Sequence, residues 1–371
     1  MKKTIVYYHP KKIISESNRG SDIRVSNMLS AFKELDFNVI EVAGVAAERH
    51  KIIKEIKHQH SQGLKIEFVY GESTNAPIAL ADKKWLPANS FMDYSFFNWL
   101  KYSKIPFGVF YRDIYWRFDF FNQMLIWPLS YIVKPLYYLD WYFYHRFTNI
   151  LFLPSNTMNK YLPKIRAENS FFALPPGYHT GLIARPSYDI TSSEPLKLLY
   201  VGGVDPTVYD ISALMKIVGG RADVELTICC REAEWIRYSG QYNQYSSKNI
   251  VVAHVNTDDL AAYYHVSDLF LMVMGYSEYR DFSMPVKFFE AIGYAVPIIS
   301  MNQKEVAHKV LSDDIGWVLN EFDQLNGLLD DLINNRKALM DKYKNMLSTR
   351  DSYSWLARAS CAASKLLEIK V

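Results

Sequence analysis

The strongest constraint on the fold of this chain is its alternation of short apolar runs with stretches of helical period. Ile5–Tyr8 is such a run, and a polar loop spans Ser15 to Asp22. Val25, Met28, Leu29, Phe32 and Leu35 then recur at the spacing of one helix face. Asn38 closes that helix, and Val39–Val42 is the next run. Strand, loop, helix and strand in this order form a crossover unit, which parallel strands require. An open parallel sheet flanked by helices is therefore predicted.

The alternation continues. Strands are predicted at Phe107–Tyr111 and Ile150–Leu153, with the aromatic segment up to Phe147 helical and a further helix near Met158–Leu162. Pro175–Pro195 is rich in Pro, Ser and Gly, has no sustained period, and reads as a linker. A second series follows it. Its strands are Leu196–Val201, Val224–Cys229, Ile250–Ala253, Leu269–Val273 and Val296–Ser300, and its helices are Val208–Val218, Asp258–His265 and Val286–Tyr294. Ser354–Ile369 has helical period and closes the chain. With 371 residues, the chain exceeds the roughly 250–300 residues that one core supports. Two α/β domains are predicted, at 1–180 and 181–350, with 351–371 a terminal helix.

Several classes fall away. Ile5–Tyr8 is too short for the core of a signal peptide. The most apolar stretch, Met124–Phe147, is interrupted by Pro128, Lys134, Pro135 and Asp140, and lacks the ~20 uninterrupted residues of a spanning helix. Cys229, Cys230 and Cys361 make neither a disulfide framework nor a metal spacing. Reduced cysteines fit an intracellular, cytoplasmic protein. The nine His have no metal-type spacing, and no Walker loop or nucleophile elbow is present. Charge is divided unevenly. Residues 1–185 hold 24 Lys and Arg against 15 Asp and Glu, and the rest hold 18 against 24. A basic first half suggests an anionic partner there. No nucleic-acid motif accompanies it, so nucleic acid is not expected.

The most informative block is Met284–Ser300, MPVKFFEAIGYAVPIIS. Pro285 suits the first helical position. Lys287 and Glu290, three apart, share a helix face. Phe288, Phe289 and Ile292 turn toward a core, and Pro297 leads into a buried strand. A helix start beside strand ends is where α/β sheets bind phosphates. Lys287 can neutralise a diphosphate, and Glu290 can accept hydrogen bonds from ribose hydroxyls. A plain surface ion pair is the other reading of the same spacing.

This block resembles the signature of GT-B glycosyltransferases of the "glycosyl transferases group 1" superfamily, with its Pro-x-Lys-x-x-Glu stretch, a Gly near the helix end and a Pro before the next strand. The resemblance implies a GT-B fold, with two Rossmann-like domains facing across a cleft and a C-terminal helix that crosses back to the first domain. It implies a nucleotide-sugar donor, UDP- or GDP-linked, bound by the second domain as a substrate, with no cofactor and no metal. It implies a glycan or lipid-linked acceptor bound by the first domain. Donor contacts then fall to Met284, Pro285, Lys287 (phosphates) and Glu290 (ribose). Gly202-Gly203 is the glycine turn after the first strand of the second domain, and Arg231 is a further cation after the next strand. Many members carry a second Glu eight residues before the ribose one, where this chain has Phe282. Specificity falls to side chains around the cleft, such as Tyr276, Ser277, Glu278 and Arg280, with Tyr276 an acceptor or cleft residue.

In the first domain the resemblance places Arg19-Gly20 at the cleft, in the loop before the first helix. Ser21 or Asp22 also suits the N-cap of that helix. Arg112-Asp113 follows the Phe107–Tyr111 strand, where the family often has a His. Asp113 is the candidate base for an acceptor hydroxyl, or else a structural partner of Arg112 or Arg117. The ring-rich segment Tyr115–Phe147, with Arg117, Lys134 and Arg146, suits the headgroup layer of an anionic membrane. An enzyme of bacterial surface-polysaccharide assembly, at the inner face of the plasma membrane, is the expectation. A catalytically inactive GT-B module and a GT-B nucleotide-sugar epimerase are the alternatives.

Overall fold

The computed structural model describes residues 2–14, 20–82, 91–124, 129–164, 170–256 and 259–370. The chain forms two compact units. One comprises Met1–Pro176 together with Trp355–Val371, and the other is Gly177–Ser354.

The first unit runs β1 (Thr4–Tyr8), α1 (Gly20–Glu34), β2 (Asn38–Val42), α2 (Ala46–Ser61), β3 (Ile66–Glu72), α3 (Phe91–Tyr102), β4 (Phe107–Phe110), α4 (Phe120–Met124), α5 (Leu129–Phe147), β5 (Ile150–Leu153) and β6 (Ser170–Ala173). Its six strands are parallel, in the order β2-β1-β3-β4-β5-β6. The last helix, α13 (Trp355–Leu367), lies on α1 and β3. There Trp355, Ala359, Ala362, Ala363 and Leu366 share a core with Val25, Met28, Phe32 and Phe152. Gly108 permits this approach, because a Cβ there would stand 2.8 Å from Leu366 Cδ2 and 2.7 Å from the Phe152 ring. Two local expectations change. Helix α1 starts at Gly20, so Ser21 and Asp22 lie within its first turn rather than capping it. Asp22 there complements the helix dipole. The helix ends at Glu34, followed by Asp36 at φ 64°, and Asn38 opens β2.

A charged network pins β1, α2 and α3 together. Arg49 and Asp93 are fully buried, with Nη2 donating to Oδ2 at 2.7 Å and Nε to Oδ1 at 3.0 Å. Arg49 Nη1 donates to the carbonyls of Pro10 and Gly44, and the Tyr8 hydroxyl donates to Asp93. Each charge is met by several hydrogen bonds, as buried ions require. Helix α5 buries Val133, Tyr137, Asp140, Trp141 and Tyr144. Its opposite face exposes Tyr131, Ile132, Tyr138 and Tyr142. Asp140 is held by the Tyr94 hydroxyl and the Ile78 N–H. Burial pushes its carboxyl up to about 7.

The second unit runs β7 (Leu196–Val201), α6 (Ser212–Gly219), β8 (Val224–Cys229), α7 (Glu232–Tyr242), β9 (Ile250–Ala253), α8 (Leu260–Val266), β10 (Leu269–Met272), α9 (Val286–Tyr294), β11 (Ile298–Met301), α10 (Lys304–Ser312), β12 (Gly316–Leu319), α11 (Gln324–Asn334) and α12 (Lys337–Thr349). Its parallel sheet has the order β12-β11-β10-β7-β8-β9. Strands β7 to β9 build outward in one direction and β10 to β12 in the other. This is the doubly wound order, with its reversal between β7 and β10. Helix α6 starts at Ser212, not at Val208. Asp205 ties down the N–H and hydroxyl of Thr207, and Asp210 accepts the Ser212 N–H, so the chain turns before the helix begins. At the other edge Gly316 pairs with Ile298 so closely that a Cβ would overlap the Ile298 carbonyl oxygen.

Candidate functional site

In an open α/β sheet, ligands bind beyond the carboxyl ends of the strands where the winding reverses. In the second unit that place lies beyond β7 and β10. Helix α9 follows β10, and Pro285 is its N-cap residue with extended backbone, one position earlier than the sequence suggested. The core face of α9 buries Phe288, Phe289 and Ile292, and Met284 packs against the same core. That orientation sends Lys287 and Glu290 together along another face. Lys287 Nζ donates to both Glu290 oxygens, at 3.0 and 2.7 Å. The Tyr264 hydroxyl of α8 also reaches Glu290 Oε2, at 3.5 Å. Lys287 lies close enough to the Cys229 thiol, at the end of β8, to oppose the burial that pushes that thiol up to about 12. The first N–H groups of any helix lack intrahelical partners and carry a partial positive charge. Beside them stand an ammonium and a carboxylate, which is an arrangement suited to a phosphate and a vicinal diol.

The other candidates of the second unit, the donor-side ones and the cleft residue Tyr276, are placed as follows. Gly202-Gly203 leaves β7 in a turn whose next two amides, Val204 and Asp205, both donate to Glu234 Oε1, at 2.9 and 3.2 Å. A Cβ on Gly203 would stand 2.9 Å from the same oxygen. These two amides therefore already hold an internal anion. Arg231 is the exposed residue that caps α7, with its carbonyl accepting the Glu234 and Trp235 N–H groups. Tyr276 is 71% exposed, and its hydroxyl approaches Asp281 at 3.4 Å. Phe282 is buried against Tyr279.

In the first unit the winding reverses between β1 and β3. Arg112 and Asp113 leave the end of β4, the neighbour of β3. Asp113 Oδ1 accepts the Ile114 N–H at 2.6 Å and the Tyr115 N–H at 3.0 Å, fixing the turn beyond the strand. Arg112 donates to Glu72 and its backbone N–H donates to Ser73. Arg117 instead meets the Tyr138 hydroxyl and the Tyr161 carbonyl. Gly20 begins α1, and Arg19 lies outside the described residues. Glu72, Arg24, Tyr264 and Glu234 carry much of the geometry at these strand ends, and sequence reasoning did not single them out. Glu72 and Arg24 stand far from Arg112 in the chain, so no spacing pattern links them. Among the described residues no group of His, Cys, Asp and Glu is arranged to hold a metal ion. None of the described helices is long and apolar enough to cross a membrane.

No protein-family model matches the sequence, and no curated protein matches it. Solved structures match it over its whole length. Sucrose-phosphate synthase from Thermosynechococcus elongatus is 12% identical, with a TM-score of 0.62, over 98% of both chains. HepE from Anabaena, in complex with UDP and glucose, is 9% identical, with a TM-score of 0.63, over 99% of this chain and all of that one. A putative UDP-N-acetylglucosamine 2-epimerase from Listeria monocytogenes is 13% identical, with a TM-score of 0.51, over 100% and 98%. The chain has the GT-B fold, with two Rossmann-like domains and a C-terminal helix belonging to the first.

Proposed function

We propose that this protein is a glycosyltransferase that takes a sugar from a nucleotide-sugar held by the second unit. The observation that carries the reading is the Lys287–Glu290 pair at the head of α9, beside the β7/β10 reversal. On donor binding, Lys287 turns from Glu290 to the diphosphate, and Glu290 accepts the ribose hydroxyls it is then free to meet. Lys287 and the N-terminus of α9 stabilise charge as it grows on the leaving diphosphate. With a protein cation in that role, transfer proceeds without a metal. Because Glu234 holds the Val204 and Asp205 amides, those two are not offered to the donor phosphates. The acceptor, a glycan or lipid-linked sugar, belongs to the first unit. Asp113, fixed beyond β4, is the base for its hydroxyl if the reaction inverts, and orients it if the reaction retains.

HepE, crystallised with UDP and glucose, favours a UDP-sugar. Peripheral association with an anionic membrane, at the inner face of the plasma membrane, fits α5. Its outward line Tyr131, Pro135, Tyr138, Tyr142 and Arg146 combines rings with a terminal cation, and Arg117 and Lys134 flank it. Assembly of a surface polysaccharide is the matching role. An epimerase is the second reading, since a protein bearing that title shares the fold.

The test is thermal unfolding of the protein against UDP-, GDP- and other nucleotide-linked sugars, with Glu290→Ala alongside. A millimolar ligand of micromolar affinity should stabilise the protein by about 4 kcal/mol. A shift with one nucleotide family, abolished in Glu290→Ala, supports the donor site and names the base. No shift with any nucleotide defeats the reading, and release of an epimerised sugar nucleotide without an acceptor favours the second one.

A further inference from the structure

At the carboxyl ends of β1, β3 and β4 in the first unit, two guanidinium groups converge on one carboxylate. Glu72 is fully buried. Its Oε1 accepts from Arg24 Nε at 3.0 Å and from the Tyr70 hydroxyl at 2.8 Å. Its Oε2 lies 3.2 Å from Arg24 Nε and 3.4 Å from Arg112 Nη2. Arg24, only 3% exposed, stands over the Phe110 ring, with its Cζ 3.3 Å from the centroid. Arg112 lies nearer the surface.

The charges do not balance. Among the described residues two permanent cations meet one carboxylate, and His9, which meets the Glu72 carbonyl, adds no counter-charge. Burial, with Arg112 nearby, holds His9 down at about 3, so it is neutral. Lys11 and Asp22 also act on His9, with opposite signs. The hydrogen bonds do not balance either. Arg24 Nη1 and Arg112 Nε are buried and have no acceptor among the described residues. A buried surplus cation with unmet donors is expensive to maintain, unless an anion completes it. The place is the winding reversal of this sheet, between β1 and β3, where α/β folds put ligands.

We infer that Arg24 and Arg112 form an oxyanion site, and that the acceptor taken by the first unit carries a phosphate or carboxylate group that docks there. The second clause rests on the transferase reading, and the first does not. The planar forks of both guanidiniums suit either group. Arg112 presents its donors from the rim, and Arg24 supplies the deeper charge. Glu72 positions the two and keeps them from repelling each other apart.

The experiment measures the unfolding midpoint of the full chain in Lys287→Met, which removes the phosphate-binding ammonium of the second unit. Inorganic phosphate is titrated at constant ionic strength against chloride, and the same titration is run with Arg112→Gln added. Phosphate also stabilises proteins by exclusion from their surfaces, and the difference between the two proteins cancels that effect. The expected result is a saturable upward shift that Arg112→Gln abolishes. Without phosphate, Arg112→Gln should unfold no earlier than its parent, because it relieves a surplus charge. Glucose 6-phosphate and glucuronate then identify which group is preferred, with glucose as the neutral control. The inference is overturned if the phosphate shift is absent, if it is equal in both proteins, if Arg112→Gln lowers the midpoint without ligand, or if glucose shifts it as far as the charged sugars. Loss of this response would leave nucleotide binding through Glu290 intact, so the two readings fail separately.

Discussion

Replacing Lys287 by Met separates the two meanings of its pairing with Glu290. In the structure both side chains are partly screened by solvent, 29% and 13% exposed, and the ammonium spans both carboxylate oxygens. An ion pair of this exposure contributes about 0.5 kcal/mol to folding. Met keeps the aliphatic stem, and Glu290 keeps the Tyr264 hydroxyl. Unfolding in urea should therefore move by less than about 1 kcal/mol. The loss in binding is larger, because a hydrogen bond to a charged phosphate contributes about 1.5–3 kcal/mol. At 1.4 kcal/mol per tenfold, the Kd for a nucleoside diphosphate should rise roughly 10- to 150-fold. Calorimetric titration of UDP and GDP into both proteins measures this change. A stability loss above about 2 kcal/mol with an unchanged Kd would show the pair to be a structural strut, and the donor assignment would fall with it.

Asp140→Asn should change how stability depends on pH. The Asp140 carboxyl is raised to about 7, so the native protein holds a proton that the unfolded chain releases near 4, and stability falls as pH rises through that window. His9 acts in the opposite direction from about 3 to 6.5, since the unfolded chain binds the proton that the native one refuses. Relative to wild type, Asp140→Asn should gain stability with rising pH by up to about 1.4 kcal/mol per unit between roughly 4 and 7, in urea titrations at several pH values. Arg49→Met leaves Asp93 buried and unpaired, and should lose about 3–5 kcal/mol in the same assay. Gly108→Ala pushes on Leu366 and Phe152 and should lose about 1–3 kcal/mol, with amide exchange accelerated in α13.

Most strands of the second unit were legible in the sequence because they are predominantly apolar. Leu196–Val201, Val224–Cys229 and Ile250–Ala253 stand where their composition placed them. Strand β3 was not anticipated, although IEFVYGE is suitably apolar, because the helix before it has no clear stripe. Helix α2 buries only Arg49, Ile53 and Ile56, and a buried Arg reads as a surface residue until its partners are known. Helices α10 to α12 were also unmarked, their apolar residues being spread among many polar ones, and so was strand β12, which is only four residues long. The Lys287–Glu290 pair was visible because its members are three residues apart. The Arg24–Glu72–Arg112 cluster was not, because 48 and 40 residues separate its members and only the sheet brings them together.

The first unit is discontinuous in the chain, and that sets an order on its birth. Residues 1–176 leave the ribosome with the α1 face of Val25, Met28 and Phe32 still lacking Trp355, Ala359 and Leu366. The second unit, contiguous from Gly177 to Ser354, is complete in sequence before α13 exists. The usual rule that N-terminal domains finish first during synthesis is thus reversed for this chain. A nascent chain stalled short of Trp355 would present an open apolar face, so this is the interval in which a holdase would have most to protect.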